Sequence, residues 1–163
     1  APNNVHVVIE NTQGGTPVKY EIDKESGALF VDRFVHTPMF YPGNYGFIPH
    51  TLSGDGDPVD AFVYTDMPVA PGSVIRCKPI GVLRTEDEAG DDPKLVCVPV
   101  KKLDRRFADT HEMSDLPELF KHQLEQFYAN YKNLEEGKWV KTNGWGDAAE
   151  AKDVILAGIK NYT

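Results

Sequence analysis

Val5-His6-Val7-Val8-Ile9-Glu10 decides how the chain is read. It alternates and is rich in β-branched residues, which suits a half-buried pleated strand. Working outward, strand-like runs recur at 18–22, 28–34, 44–48, 59–64, 73–84 and 94–99, with Gly, Pro and Asp turns between them. Short strands punctuated in this way predict a small closed barrel or sandwich.

The period changes in the last third. Leu116, Leu119, Phe120, Leu124, Phe127, Tyr131 and Leu134 recur at three and four, which is one helix face. Ser114 or Asp115 is the expected cap, Pro117 is tolerated in the first turn, and Gly137 is the expected end. A last short strand is expected over 138–141. Asp147 then opens a second helix, with Ala148, Ala151, Val154, Ile155 and Ile159 inward. The expectation is an α+β fold, mainly β, in one domain over 1–163, with two packed helices after the strands.

Composition narrows the class. The 163 residues carry 17 Lys plus Arg against 25 Asp plus Glu, a net charge of −8. A bare nucleic-acid binder needs a net basic face, so that class is disfavoured. No apolar run approaches the roughly 18 residues of a membrane span, and no leader pattern opens the chain. Cys77 and Cys97 are the only cysteines and form no C-x-x-C, so two buried thiols in a cytoplasmic protein are expected.

Gly54-Asp55-Gly56-Asp57-Pro58-Val59-Asp60 places three aspartates within six residues. A local Asx-turn explains any one of them. It explains all three poorly, because like charges about 4 Å apart repel by ~1 kcal/mol even in water. A hard cation is the better account, and oxygen-only ligation favours Mg²⁺, Mn²⁺ or Ca²⁺. An EF-hand does not fit, since Asp60 stands where the loop's glycine is required. The second acidic run, Glu86-Asp87-Glu88-Ala89-Gly90-Asp91-Asp92-Pro93-Lys94, reads by default as a solvated hairpin tip closed by a lysine. Lys19 and Glu21 share one strand face, and Arg33 ends another strand. Tyr41, Tyr45, Tyr131 and Lys132 add phenols and a cation, although core packing is the simplest reading of Tyr131. Cations and phenols beside clustered carboxylates are what metal-assisted phosphoryl transfer requires. There is no P-loop, no G-x-G-x-x-G, no G-x-S-x-G and no zinc-spaced histidine pair.

At Asp55-Gly56-Asp57-Pro58-Val59-Asp60 the chain resembles the signature of the family I soluble inorganic pyrophosphatases, in their short bacterial form. Val18-Lys19-Tyr20-Glu21, Leu29-Phe30-Val31-Asp32-Arg33 and Tyr41-Pro42-Gly43-Asn44-Tyr45-Gly46 stand in family order. Asp87-Glu88-Ala89-Gly90, Asp92-Pro93-Lys94, Tyr131-Lys132 and Gly137-Lys138-Trp139-Val140 follow, so the resemblance covers essentially the whole chain. It implies Mg²⁺-dependent hydrolysis of pyrophosphate, with several ions per site and Mn²⁺ or Zn²⁺ able to substitute. Asp55, Asp60 and Asp92 would hold the tight metal, with Asp60 bridging to a second. Asp57 would be the general base. Glu21, Asp87 and Asp92, with Glu10 nearby, would serve metals that arrive with substrate, and Glu88 would support them. Lys19, Arg33, Tyr131 and Lys132 would grip one phosphoryl group, Tyr45 and Lys94 the other, and Tyr41 would line the site. The resemblance also implies a five-stranded OB-type barrel and a homohexamer. The rival readings are an OB-type single-strand binder, an inactive metal or nucleotide sensor, and a Mg²⁺-dependent nucleotide or polyphosphate hydrolase.

Overall fold

The computed structural model describes residues 1–163. In chain order these form β1 (Val5–Asn11), β2 (Val18–Ile22), β3 (Leu29–Phe34), β4 (Asn44–Ile48), β5 (Val59–Val63), β6 (Val74–Asp87), β7 (Gly90–Asp91) and β8 (Lys94–Pro99). Two short 3₁₀ turns, α1 (Glu118–Asn130), β9 (Val140–Gly146) and α2 (Ala148–Tyr162) follow. The fold is mainly β with two helices. Hydrogen-bonded neighbours run β1-β4-β5-β8-β6, and β1 also pairs β6, so the path returns to its start. β5 and β8 are the parallel pair in this ring. β7 and β9 extend from β6, while β2 and β3 form a separate ribbon. β1 and β4 approach so closely at Gly46 that any Cβ there would strike the Val8 carbonyl oxygen, so the position demands glycine.

The ring strands are covered on both faces. Val59, Ala61 and Val63 of β5 and Leu95 and Cys97 of β8 point inward, against Val5, Val7 and Ile9 of β1 and Ala151 and Ile155 of α2. Phe62, Val96 and Val98 point the other way, under Phe120, Leu124, Phe127 and Tyr128. Double burial makes such strands nearly continuous hydrophobic runs, and each fully buried large side chain contributes about 1.5–3 kcal/mol. α1 ends at Asn130, before it has covered this outer face completely. One step along, the face shows Asp60 and Lys94, which are register partners on β5 and β8. That uncovered end is the floor of the polar cleft described below.

The expected strand bounds hold at β2, β4 and β8. β6 runs further than expected, through Glu86 and Asp87, because β9 pairs with that end. The acidic tip therefore shrinks to the two residues between β6 and β7, with Asp87 and Asp92 at its feet. β9 likewise extends past the expected short strand, to Gly146. The capping expectation for α1 is corrected. The Asp115 carboxylate accepts the His111 and Glu112 amides at 2.9 and 3.0 Å and so closes a 3₁₀ turn, while Pro117 occupies the α1 cap with no side-chain bond. Leu119 and Leu134 are also corrected: both are exposed, Leu119 on the flank of α1 and Leu134 in the turn beyond its end. Asp147 caps α2 as expected, its carboxylate accepting the Glu150 amide at 2.9 Å. Cys77 and Cys97 are free and buried. No helix is long and apolar enough to cross a membrane.

Candidate active site

The floor of the cleft is set by strand register. Antiparallel pairing puts Tyr45 opposite Phe62 and Phe47 opposite Asp60, so β4 supplies one wall. A register shift between Ile9 and Asn11 of β1 marks a bulge at Glu10, which lines the cleft. Asn11 holds the β2 ribbon beside it, accepting the Tyr20 amide at 2.8 Å and donating to the Tyr20 carbonyl at 3.1 Å. That ribbon brings Lys19, Glu21 and Arg33 to the rim. The turn after α1 brings Tyr131 and Lys132. The aspartate turn closes locally: the Asp57 amide donates to Asp55 Oδ1 at 3.0 Å, and Gly56 takes φ +88°. Asp55 thus does make an Asx-turn, and it faces the cleft as well.

The cleft measures about 190 Å³ and is lined by eight carboxylates and six cationic side chains. A larger hollow of about 660 Å³, between the N-terminal residues and α2, contains no acidic residue. Every candidate site residue lines the polar cleft except Tyr41. Tyr41 is buried behind it, its ring 6.3 Å from Tyr45 and 5.1 Å from Phe127. Tyr131 does both jobs considered for it, stacking on Phe127 at 4.9 Å and lining the cleft.

Lys94 is the most heavily engaged cation. Its Nζ donates to Asp60 and to Asp92, and it lies 5.7 Å from the Tyr45 ring centre and 5.4 Å from that of Tyr128. Burial alone would lower this ammonium, but Asp60 and Asp92 overcome burial and hold it well above the usual lysine range. Lys132 stands 3.4 Å from Asp87 and 3.6 Å from Glu88. Lys19 lies 3.3 Å from Asp32, and Arg33 lies 2.9 Å from Glu135.

Burial raises several of the cleft carboxyls. Burial pushes Glu10 up to about 7, against the lowering effect of the Ile22 amide that its Oε2 accepts at 2.7 Å. Burial also pushes Asp92 up to about 7, with Lys94 opposing and Asp60 adding to the rise. Asp55 is raised as well, chiefly by burial. The phenols stay protonated: burial carries Tyr45 well above its usual range and Tyr131 up to about 12. Asp92 Oδ1 is buried without a hydrogen-bond partner. An unpartnered buried carboxylate oxygen within an all-oxygen acidic set fits a hard divalent cation. No three of the acids already converge on one point, since Lys94 stands between Asp60 and Asp92.

Lys24, Lys138, Asp32 and Glu135 are absent from the sequence-based set. Lys24 lines the cleft with its Nζ 4.9 Å from the Phe47 ring centre, and Lys138 lines it too. Asp32 and Glu135 pair with the rim cations. Nothing in local pattern separates Lys24 from a surface lysine. Glu135 offers a faint signal, being one turn beyond Tyr131 and Lys132.

The sequence model of the family described as inorganic pyrophosphatase matches residues 7–163. The inorganic pyrophosphatase of Escherichia coli K12 is 57% identical over 159 residues, which is 98% of this chain and 90% of that protein. The crystal structure of an inorganic phosphatase from Anaplasma phagocytophilum superposes with a TM-score of 0.97 at 49% identity, covering 99% of this chain and 95% of the other. The solved structure of an inorganic pyrophosphatase from Coxiella burnetii also gives 0.97, at 43% identity, covering 100% of this chain and 97% of the other.

Proposed function

The chain belongs to the inorganic pyrophosphatase family and hydrolyses pyrophosphate, and from that premise we propose which of its side chains do the work. The carrying observation is the convergence of eight carboxylates and six cations in one small cleft. Pyrophosphate is densely anionic, so the acids need divalent ions before such a substrate can enter. Asp55, Asp60 and Asp92 hold the tight ion, and Glu10, Glu21 and Asp87 serve ions that accompany substrate. Mg²⁺ is the ion proposed, with Mn²⁺ or Zn²⁺ able to substitute. When bound, such ions offset substrate charge and lower the pKa of a water.

Asp57 is exposed on the aspartate turn, and its carboxylate is engaged by no other protein group. It is free to take the proton of the attacking water, as a general base must. Lys19, Arg33, Tyr131 and Lys132 stand on the ribbon and the α1 turn, placed to bind one phosphoryl group. Tyr45 and Lys94 stand on the floor, placed to bind the other. Their charges and protonated phenols stabilise the charge that spreads over the phosphoryl oxygens as the bridging P–O bond breaks. Glu88, with its Oε2 3.4 Å from the Trp139 amide, braces the Asp87 and Lys132 corner. Tyr41 backs Tyr45. No covalent phosphoenzyme is needed.

The returning path of strand pairings supports an OB-type barrel of five strands, and we read 1–163 as one catalytic domain. Exposed Phe30, Phe34, Phe40 and Leu119 support assembly with further copies, which we propose is a homohexamer. Two unpaired thiols suit the cytoplasm.

The test is phosphate release from pyrophosphate with Mg²⁺, with EDTA, and with ATP as the alternative substrate. Fast release that needs Mg²⁺ and spares ATP is expected. Comparable release from ATP would favour a general nucleotide or polyphosphate hydrolase.

A further inference from the structure

Glu135 has no role in the reading above, yet it is 9% exposed and sits on the turn that follows α1. Its Oε1 lies 2.9 Å from Arg33 Nε. A carboxylate on a turn ordinarily faces water, because burying it is costly unless a cation answers it. Here it faces inward, onto a guanidinium that lines the cleft. The Nε–H is not aimed along this line, and Arg33 Nε, Arg33 Nη2 and Glu135 Oε2 are all buried without hydrogen-bond partners. Charge therefore holds the guanidinium in place, while its directional donors stay unspent. A planar fork of desolvated, unspent donors suits a phosphoryl oxygen.

The same turn is tied to the segment after β3 at two more points. Thr37 Oγ1 donates to the Tyr131 carbonyl at 2.9 Å, and His36 Nδ1 stands 3.3 Å from the Leu134 carbonyl. Within the turn, the Glu135 amide donates to the Lys132 carbonyl at 2.9 Å. Arg33 on one side and Tyr131 with Lys132 on the other, distant in sequence, are thus joined into one unit, and Glu135 is the charged link.

We propose that Glu135 is a positioning residue for pyrophosphate hydrolysis: it orients the Arg33 guanidinium and locks it to the turn bearing Tyr131 and Lys132. The inference rests on the reading of Arg33 as a phosphoryl-binding group. Glu135 does not line the cleft, so its loss acts through Arg33.

A double-mutant cycle of Glu135→Gln and Arg33→Lys, with KM and kcat measured at saturating Mg²⁺, tests this. Lysine keeps the charge but has no planar guanidinium for Glu135 to orient, so it removes the oriented group from the other side. Glu135→Gln is expected to raise KM about tenfold with a smaller change in kcat, as lost binding energy does. In the Arg33→Lys background the same change is expected to add less than about twofold, because the two positions act as one. If Arg33→Lys leaves KM unchanged, the reading of Arg33 fails and takes the inference with it. If Arg33→Lys impairs binding but Glu135→Gln does not, or the two losses multiply in the double variant, the inference alone is overturned. A fall in thermal midpoint with no coupling in KM counts as the same refutation. Should Glu135→Gln not fold, Glu135→Asp enters the same cycle; it keeps the charge but shortens the reach.

Discussion

The strand ring and the β2–β3 ribbon contribute to the same cleft from opposite mechanical conditions. Ring residues such as Phe62, Val96 and Leu95 are fully buried, and the ring-borne site groups Asp60, Lys94 and Glu10 extend from that packed frame. On the ribbon, Leu29, Phe30, Val31 and Phe34 are exposed, and Lys19, Glu21 and Arg33 extend from a two-stranded element. A two-stranded ribbon is marginal alone; this one is anchored through Asn11 and through the Arg33–Glu135 pair. The two elements divide the labour. The ring holds Asp60, Glu10 and Lys94 in a fixed floor, and the ribbon with the α1 turn brings Lys19, Glu21, Arg33, Tyr131 and Lys132 to the rim.

The largest effect is expected at the most buried charge of the ring, Lys94. Lys94→Met leaves Asp60 and Asp92 facing each other with no cation between them. Removing one partner of a buried ion pair costs about 3–5 kcal/mol. In EDTA the thermal midpoint should fall by roughly ten degrees, at about 2–4 °C per kcal/mol for a chain of this size. Mg²⁺ should return part of the loss. A midpoint unchanged in EDTA would mean that the floor is not held by that charge.

A smaller effect comes from protons. Glu10 and Asp92, both pushed up to about 7 by burial, bind more protons folded than unfolded, where carboxyls titrate near about 4. The sign then follows: in EDTA, the contribution of these groups to stability falls as pH rises between about 4 and 7. Glu10→Gln should flatten that fall, since it removes the titrating group but keeps an oxygen for the Ile22 amide. Divalent ions compete with protons for the same oxygens, so Mg²⁺ should raise the thermal midpoint more at pH 8 than at pH 5. An equal rise at both values would detach the metal from these carboxyls.

The smallest effect is expected on the ribbon. Val31→Ala, at a position 52% exposed, should change the stability of dilute protein by no more than about 0.5 kcal/mol. Phe62→Ala, in the ring and fully buried, should cost about 3–5 kcal/mol in the same assay. Comparable losses at both positions would erase the contrast.

Both regions are legible as strands, since β2 of the ribbon is bounded by its pattern as well as β4 and β8 of the ring. The ring strands carry runs that double burial makes obvious, and the ribbon strands carry β-branched and aromatic runs of similar length. The Asp55, Asp57 and Asp60 triplet is dense enough that local turn chemistry cannot absorb it. The failures have physical reasons. Glu86 and Asp87 look like a solvated tip, but β9 pairs with them from far along the chain, and pairing of that kind leaves no local trace. Asp115 looks like a helix cap, but the nearer amides of His111 and Glu112 take it first. Lys24 is invisible and Glu135 nearly so, because a single charged residue near a turn has the same local pattern whether it faces water or a cleft. Only folding brings Glu135 to Arg33 across about a hundred residues of chain.

Within the aspartate cluster, metal binding and proton transfer fall to different side chains in the proposed mechanism. The direct measurement is calorimetric Mg²⁺ binding beside pyrophosphate turnover, on Asp57→Asn and Asp60→Asn. Asp57→Asn should keep its Mg²⁺ affinity within a few-fold and lose at least about a hundredfold in turnover, the scale of a positioned general base. Asp60→Asn should damage both. Near-normal turnover in Asp57→Asn would remove Asp57 from the base role. Equal loss of metal binding in both variants would show that the exposed turn and the buried floor do not divide the work as described.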